Sequence, residues 1–227
     1  MISIEKNIAE VRERIRFSLQ KAGREGDDVT LVAVTKTQPA EAILAAYQAG
    51  LRHFGENYLQ EALGKRQQLL DQGPIDDIIW HYIGPIQSNK TRDIAENFDW
   101  VHSVDRLKIA QRLNDQRGAD QAPLQLCLQV NIDNEPSKSG VAPQQVLTML
   151  ADLSHMPRLR LRGLMAIPQP GRQASFADMQ ACFAQAQKHF PTLDTLSMGM
   201  SGDIELAIAA GANMVRVGTA LFGERRR

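Results

Sequence analysis

The sequence has no excess of charge of either sign, and this absence argues against a nucleic-acid binder. Among its 227 residues, Lys and Arg together number 26, and Asp and Glu together also number 26. Proteins that bind nucleic acid usually carry a clear basic excess or a basic stripe. Only residues 225–227, all arginine, are locally basic. We therefore expect no nucleic-acid partner.

Cysteine is scarce and long apolar runs are missing. Cys127 and Cys182 lie in apolar segments without a CxxC spacing, which indicates buried thiols in a reducing compartment rather than a disulfide. Charges interrupt the apolar residues at the start of the chain, so it does not resemble a secretion signal. No apolar run is long enough to cross a bilayer. The sequence thus predicts a cytoplasmic protein without a membrane partner.

Strand and helix patterns alternate along the chain. Ile4, Ile8, Val11 and Ile15 recur at helical spacing and predict an N-terminal helix. After it, eight apolar runs predict strands near residues 31–34, 52–54, 78–83, 100–102, 124–130, 159–165, 195–198 and 214–217, with helix patterns between them. Such alternation implies parallel strands joined by crossover helices.

Eight strand–helix units in a chain of this length favour a closed barrel. The sequence therefore predicts an α/β fold, a single (β/α)8 TIM barrel with an extra N-terminal helix. No linker or low-complexity stretch divides the chain, so residues 1–227 are predicted to form one domain. A doubly wound open sheet is the alternative.

Lys36 is the first candidate site residue, because it ends the apolar first strand. An ammonium group in such a place is costly to desolvate. It must find an anion, reach water, or have a lowered pKa that frees the amine as a nucleophile. The residue pattern alone leaves these three interpretations open.

The turns after the seventh and eighth strands are candidates for binding an anion. Ser201 precedes Gly202, and Gly218 precedes Thr219. Glycines let a ligand approach the backbone closely, and hydroxyl groups add hydrogen-bond donors. The loops after strands 7 and 8 are the frequent phosphate site of this barrel type. The alternative is ordinary turn and capping chemistry.

Other polar residues give weaker signals. Arg216 lies within the apolar run 214–217 and is predicted to point into the barrel mouth, either toward a ligand or as a member of a structural ion pair. The five histidines show no metal-ligand spacing, so no metal is predicted, and His81 is interpreted as a satisfied core group. The loop from Ser137 to Gly140 is interpreted either as a lid or as a simple polar loop.

One long segment resembles a known family. Residues 80–90, which read WHYIGPIQSNK, resemble the signature of the pyridoxal phosphate homeostasis proteins of the YggS/PROSC type. The resemblance continues in order through residues 32–36, 54–58, 137–140, 162–167, 197–201 and 215–219.

The resemblance implies a cofactor, pyridoxal 5′-phosphate (PLP), and a barrel similar to the cofactor domain of alanine racemase, which is PLP fold type III. It implies that Lys36 carries the cofactor aldehyde as a Schiff base. The other roles that it implies are phosphate binding by Ser201, Gly218 and Thr219, a position facing the pyridine nitrogen for Arg216, and contact with the ring for Asn57 and Met200.

The resemblance also implies a function without robust catalysis. The protein would store or deliver PLP inside the cell, with PLP-dependent apoenzymes as possible recipients. The sequence itself shows no obvious dimer element, so a monomer is expected. An arginine at the pyridine nitrogen disfavours protonation of the ring and weakens it as an electron sink. Two alternatives are an amino-acid racemase, for which the sequence offers no second base opposite Lys36, and a cofactor-free Schiff-base aldolase.

Overall fold

The fold was analysed in a computed structural model, which describes residues 3–73, 75 and 77–224. The arginine tail at 225–227 lies outside the described residues. The prediction of one domain over residues 1–227 therefore extends beyond them and stays a prediction.

Eight parallel strands close into a barrel in their chain order, β1-β2-β3-β4-β5-β6-β7-β8. β1 pairs with β8, and this contact closes the ring, with Ala33 opposite Val217. The predicted TIM barrel is thus confirmed, and the open-sheet alternative is wrong. The strands are β1 (Thr30–Val34), β2 (His53–Glu56), β3 (Ile79–Tyr82), β4 (Trp100–Val104), β5 (Leu124–Val130), β6 (Leu159–Ala166), β7 (Thr195–Ser197) and β8 (Met214–Val217).

Helices surround the barrel, and the extra N-terminal helix is present. Its first turn is capped by Ser3, whose Oγ accepts a hydrogen bond of 3.3 Å from the Lys6 amide. Soon after the helix ends, Gly23 adopts a positive φ of 65°. The helices are α1 (Ile4–Lys21), α2 (Ala40–Gln48), α3 (Leu59–Leu70), α4 (Thr91–Asn97), α5 (Leu107–Gln116), α6 (Val146–Ser154), α7 (Gln173–His189), α8 (Ile204–Ala209) and α9 (Thr219–Phe222).

The apolar residues form two separate cores. The larger lies between the strands and the surrounding helices, and includes Ile43, Phe54 and Phe176. The smaller lies inside the barrel and consists of Val32, Trp100, Cys127, Met165 and Met214. Within the part of the chain that the structure describes, no helix combines the length and apolar character needed to span a membrane.

Candidate functional site at the C-terminal mouth of the barrel

The predicted site residues follow four strands that are neighbours in the ring. β7, β8, β1 and β2 are consecutive in the closed barrel, and all of them run parallel. Their carboxyl ends therefore meet along one arc of the barrel mouth, where active groups of this fold gather. Along this arc lie Met200 and Ser201 after β7, Arg216 within β8, Gly218 and Thr219 after β8, Lys36 after β1, and Asn57 after β2.

The turn that carries Lys36 is held on both sides. Thr37, directly after it, adopts a positive φ of 64°, which is uncommon for a residue with a branched side chain. The Thr37 amide donates to Glu61 Oε1 at 2.5 Å. The carbonyl of Thr35, directly before it, accepts from Lys65 Nζ at 2.7 Å. These bonds fix the position of the half-buried Lys36 backbone.

An ionic cluster of Glu56, Glu61 and Lys65 packs against this turn, and the sequence analysis did not predict it. Glu56 is fully buried, and its Oε1 accepts from Thr35 Oγ1 at 2.7 Å and from Lys65 Nζ at 2.8 Å. Burial raises the pKa of Glu56, although the charge and hydrogen bond of Lys65 oppose that rise. Lys65 also pairs with Glu61 at 2.5 Å. The i,i+4 spacing of Glu61 and Lys65 was the available signal, but it usually marks a solvated helix face.

The two predicted phosphate turns contact each other. Ser201 Oγ accepts from the Ala220 amide at 3.1 Å, which ties the loop after β7 to the start of α9. The loop is braced internally, because the Met200 amide donates to the Asp203 carboxylate at 2.5 Å. Arg14 of α1 donates to the Ser201 carbonyl at 3.1 Å. The N-terminal helix thus holds one of these turns in place.

The backbone at Gly218 lies close to β1. A Cβ atom added there would lie 3.2 Å from the Val34 carbonyl oxygen, which is tighter than most real Cβ contacts. The absence of a side chain therefore lets the turn after β8 sit directly beside the end of the strand that leads to Lys36.

Arg216 is a buried cation inside the barrel. Its Nη1 donates to Ser197 Oγ at 2.7 Å, and its Nη2 donates to the Ala166 carbonyl at 2.9 Å. Burial lowers the pKa of Arg216 to about 10, so the group stays charged at neutral pH. Between residues that the structure describes, no ion pair joins Arg216 to a carboxylate, which leaves the ion-pair interpretation without support. An arginine has five N–H donors, and these two bonds leave others for a ligand.

Asn57 borders a cavity of about 210 Å³ in the mouth. Its Oδ1 is buried and has no hydrogen-bond partner among the described residues. The loop at residues 137–140 reaches the same cavity through Lys138 and Ser139. Lys138 Nζ is held by Glu135 Oε1 at 2.7 Å and by the Ile167 carbonyl at 3.2 Å. The loop therefore lies at the mouth, and its action as a lid stays a prediction.

Three histidines form a hydrogen-bonded row that sequence analysis did not foresee. His53 Nδ1 contacts His81 Nε2 at 2.9 Å, and His81 Nδ1 contacts His102 Nε2 at 2.8 Å. His102 Nδ1 then contacts Ser197 Oγ at 2.9 Å, the same oxygen that Arg216 binds. The interpretation of His81 as a satisfied core group is thus confirmed, but its partners are other imidazoles.

The fold matches a known class of barrel. The family model "Alanine racemase, N-terminal domain" matches residues 6–226. Alanine racemase from Corynebacterium glutamicum has a similar fold, with a TM-score of 0.70 and 19% identity over 98% of this chain and 60% of its own. At that identity the likeness shows the fold alone.

Closer relatives define the family. A pyridoxal phosphate homeostasis protein of Pseudomonas aeruginosa is 57% identical over 99% of this chain and 97% of its own length. One of Escherichia coli K12 is 50% identical over 99% and 98%. PipY of Synechococcus elongatus, solved with PLP bound, has a TM-score of 0.84 and 41% identity over 97% of this chain and 100% of its own. This chain belongs to the pyridoxal phosphate homeostasis protein family.

Proposed function

We propose that this chain binds PLP through a Schiff base on Lys36 and acts in PLP homeostasis. The observation that carries the proposal is the single arc on which Lys36, the two contacting turns and Arg216 lie. Membership of the family, and a relative solved with PLP bound, supply the identity of the cofactor.

The residues present fit PLP chemically. Bound PLP would supply an aldehyde, and the Lys36 nitrogen would attack its carbon to form a C=N bond with loss of water. Ser201, Gly218 and Thr219 would hold the phosphate with backbone and hydroxyl donors. The unpartnered Asn57 Oδ1 suits a ligand that offers a donor, and Met200 would contact the ring.

Arg216 favours a carrier over a catalyst. Its charge persists at neutral pH, and a cation beside a pyridine nitrogen disfavours protonation of that nitrogen. An unprotonated ring withdraws electrons less well, so carbanion chemistry on a bound amino acid is weakened. We therefore propose storage or delivery of PLP by a cytoplasmic monomer without robust catalytic activity, with PLP-dependent apoenzymes as recipients.

The alternative is an amino-acid racemase of the same barrel type. It would need a second base opposite Lys36 to exchange the α-proton. Entry of solvent deuterium at the α-carbon of free amino acids, at a rate that is lost in Lys36→Ala, would favour the racemase over the carrier. A protein that remains colourless after addition of PLP would instead favour the cofactor-free aldolase.

Borohydride reduction followed by peptide mapping tests the proposal. The reduced protein should carry a phosphopyridoxyl group on the peptide that contains Lys36. Lys36→Ala should lose this label, and Lys108→Ala, a change of an exposed lysine on α5, should keep it. A label on another lysine in the unaltered protein would contradict the site assignment.

A further inference from the structure

A row of buried polar groups runs through the barrel and ends at Arg216. It passes from His53 through His81 and His102 to Ser197 by contacts of 2.8 to 2.9 Å, and Arg216 Nη1 completes it at 2.7 Å. His81, His102 and Ser197 are almost completely shielded from solvent. We call these five residues the polar row. The proposed function uses only Arg216 of them.

The chemistry of the groups fixes the direction of every hydrogen bond in the polar row. A guanidinium can only donate, so Ser197 Oγ accepts from Arg216. Among the described contacts of Ser197 Oγ, His102 Nδ1 is the one possible acceptor for the hydroxyl hydrogen, so the hydroxyl donates to it and His102 Nδ1 carries no hydrogen. A neutral His102 carries its hydrogen on Nε2 and donates it to His81 Nδ1.

The hydrogen-bond direction between His81 and His53 follows in the same way. His81 has its hydrogen on Nε2 and donates to His53 Nδ1. Burial supports the neutral state, since it lowers the pKa of His81 and His102 well below the ordinary value and also lowers that of His53. The nearby charge of Arg216 further lowers the pKa of His102, while Asp99 opposes the decrease at His53.

The two ends of the row lie toward opposite ends of the barrel. His53 opens β2 and borders two cavities at the N-terminal end of the strands, one of them also lined by Asp28, Arg162 and Asp194. Arg216 lies two residues before the turn at Gly218. The row therefore connects the Arg216 guanidinium by hydrogen bonds to the opposite end of the barrel.

We infer that His102 and Ser197, supported by His81, are positioning residues that orient the Arg216 guanidinium toward the bound cofactor ring. The inference rests on the proposed function for the identity of that ring. With Nη1 fixed by Ser197 and Nη2 fixed by Ala166, the plane of the guanidinium is set before any ligand arrives.

The first test needs neither a variant nor a cofactor. In cofactor-free protein labelled with ¹⁵N at histidine, long-range ¹⁵N–¹H NMR should show His81 and His102 as neutral Nε2–H tautomers at pH 7.5. Resonances for a protonated Nδ1 at His102 would overturn the inference. Because no PLP is present, this result stands or falls separately from the proposed function.

The second test uses the spectrum and affinity of bound PLP. Ser197→Ala should shift the absorption band of the bound cofactor and weaken PLP binding by about tenfold, the scale of one hydrogen bond to a charged group. Ser197→Thr retains the hydroxyl and should restore both properties. The matched control is Ser103→Ala, since Ser103 is also buried, on β4, but its hydroxyl donates to the Gly84 carbonyl outside the row.

His102 separates positioning from simple packing. His102→Asn keeps an acceptor for the Ser197 hydroxyl, whereas His102→Leu removes it. We expect the asparagine variant to stay closer to the unaltered spectrum and affinity. If Ser197→Ala and His102→Leu bind PLP with the same spectrum and affinity as Ser103→Ala, the row does not position Arg216. If the unaltered protein binds no PLP, the proposed function fails, and the NMR result alone decides whether the row is ordered as inferred.

Discussion

The outside and the inside of the barrel wall are built from different chemistry. Outward-facing residues such as Ala33, Phe54 and Leu126 pack into one aliphatic and aromatic core under the helices. Inward-facing positions combine a thin apolar layer around Trp100 with the polar row that ends at Arg216. Many combinations of apolar side chains of suitable size could fill the outer core. The hydrogen bonds of the polar row, by contrast, can all form only in one arrangement of its side chains. From this difference we infer that the outer core provides most of the stability and that the polar row orients Arg216.

The largest expected effect on stability comes from the outer core. Phe176 on α7 is buried in that core and is not one of the candidate site residues. Phe176→Ala should lower the free energy of unfolding by about 3–5 kcal/mol because it leaves a cavity. Urea unfolding followed by circular dichroism measures it, with Ser197→Ala as the inner counterpart. A larger loss for Ser197→Ala would reverse the proposed division of roles.

The second effect concerns the ionic cluster behind Lys36, which belongs to neither apolar core. Lys65→Met should destabilise the fold by about 3 kcal/mol, because it leaves the fully buried Glu56 without its counter-ion. Adding Glu56→Gln should recover most of this loss, since no uncompensated charge then remains. Urea unfolding of both single variants and the double variant gives the coupling energy. Additive losses would show that the pair is not energetically coupled.

The smallest effect is a pH dependence contributed by the two fully buried imidazoles of the polar row. His81 and His102 have lowered pKa values when folded, while in the unfolded chain they titrate near about 6.5. Above that pH both states are neutral and this contribution is complete. Below it the unfolded chain takes up protons that the folded chain does not, so stability falls as the pH decreases from 6.5 toward the folded pKa values. The slope approaches about 1.4 kcal/mol per pH unit for each imidazole.

Urea unfolding between about pH 5.5 and 7.5 measures this slope, a range chosen to lie above the titration of ordinary carboxylates. The matched variant, His81→Gln with His102→Asn, should show a flatter profile. If the profile is equally steep with and without the two imidazoles, their pKa values do not differ between the folded and unfolded states.

Much of the fold was predictable from local pattern. The runs at 124–130 and 214–217 are mostly apolar and buried over almost their whole length, and the observed strands have those same bounds. β2 was harder, because His53, Gly55 and Glu56 give it a mixed character. The strand begins and ends later than the predicted run at 52–54. Its inward positions are occupied by a histidine and a glycine, which carry no apolar signal.

The candidate site was predictable only where the residues of a single loop stand out in the local sequence. Lys36 at a strand end and the Ser201 and Gly218 turns each stand out locally. The polar row does not, because His53, His81 and His102 lie on three different strands and meet only when β2, β3 and β4 pair side by side. Glu56 and Lys65 likewise meet through the packing of α3 against the barrel. Long-range contacts of this kind have no signature in the spacing of residues.

The pairing of β1 with β8 has a consequence for the order of events during synthesis. Lys36 leaves the ribosome long before Ser201, Gly218 and Thr219, which follow it in the chain. The candidate site straddles the seam where the first and last strands join. A nascent chain therefore cannot assemble this site until the final strand has been made and the ring has sealed. The protein would then become able to bind a reactive aldehyde only when folding is complete. Before that point, a growing chain contains the Lys36 amine but lacks the turns that would bind the phosphate.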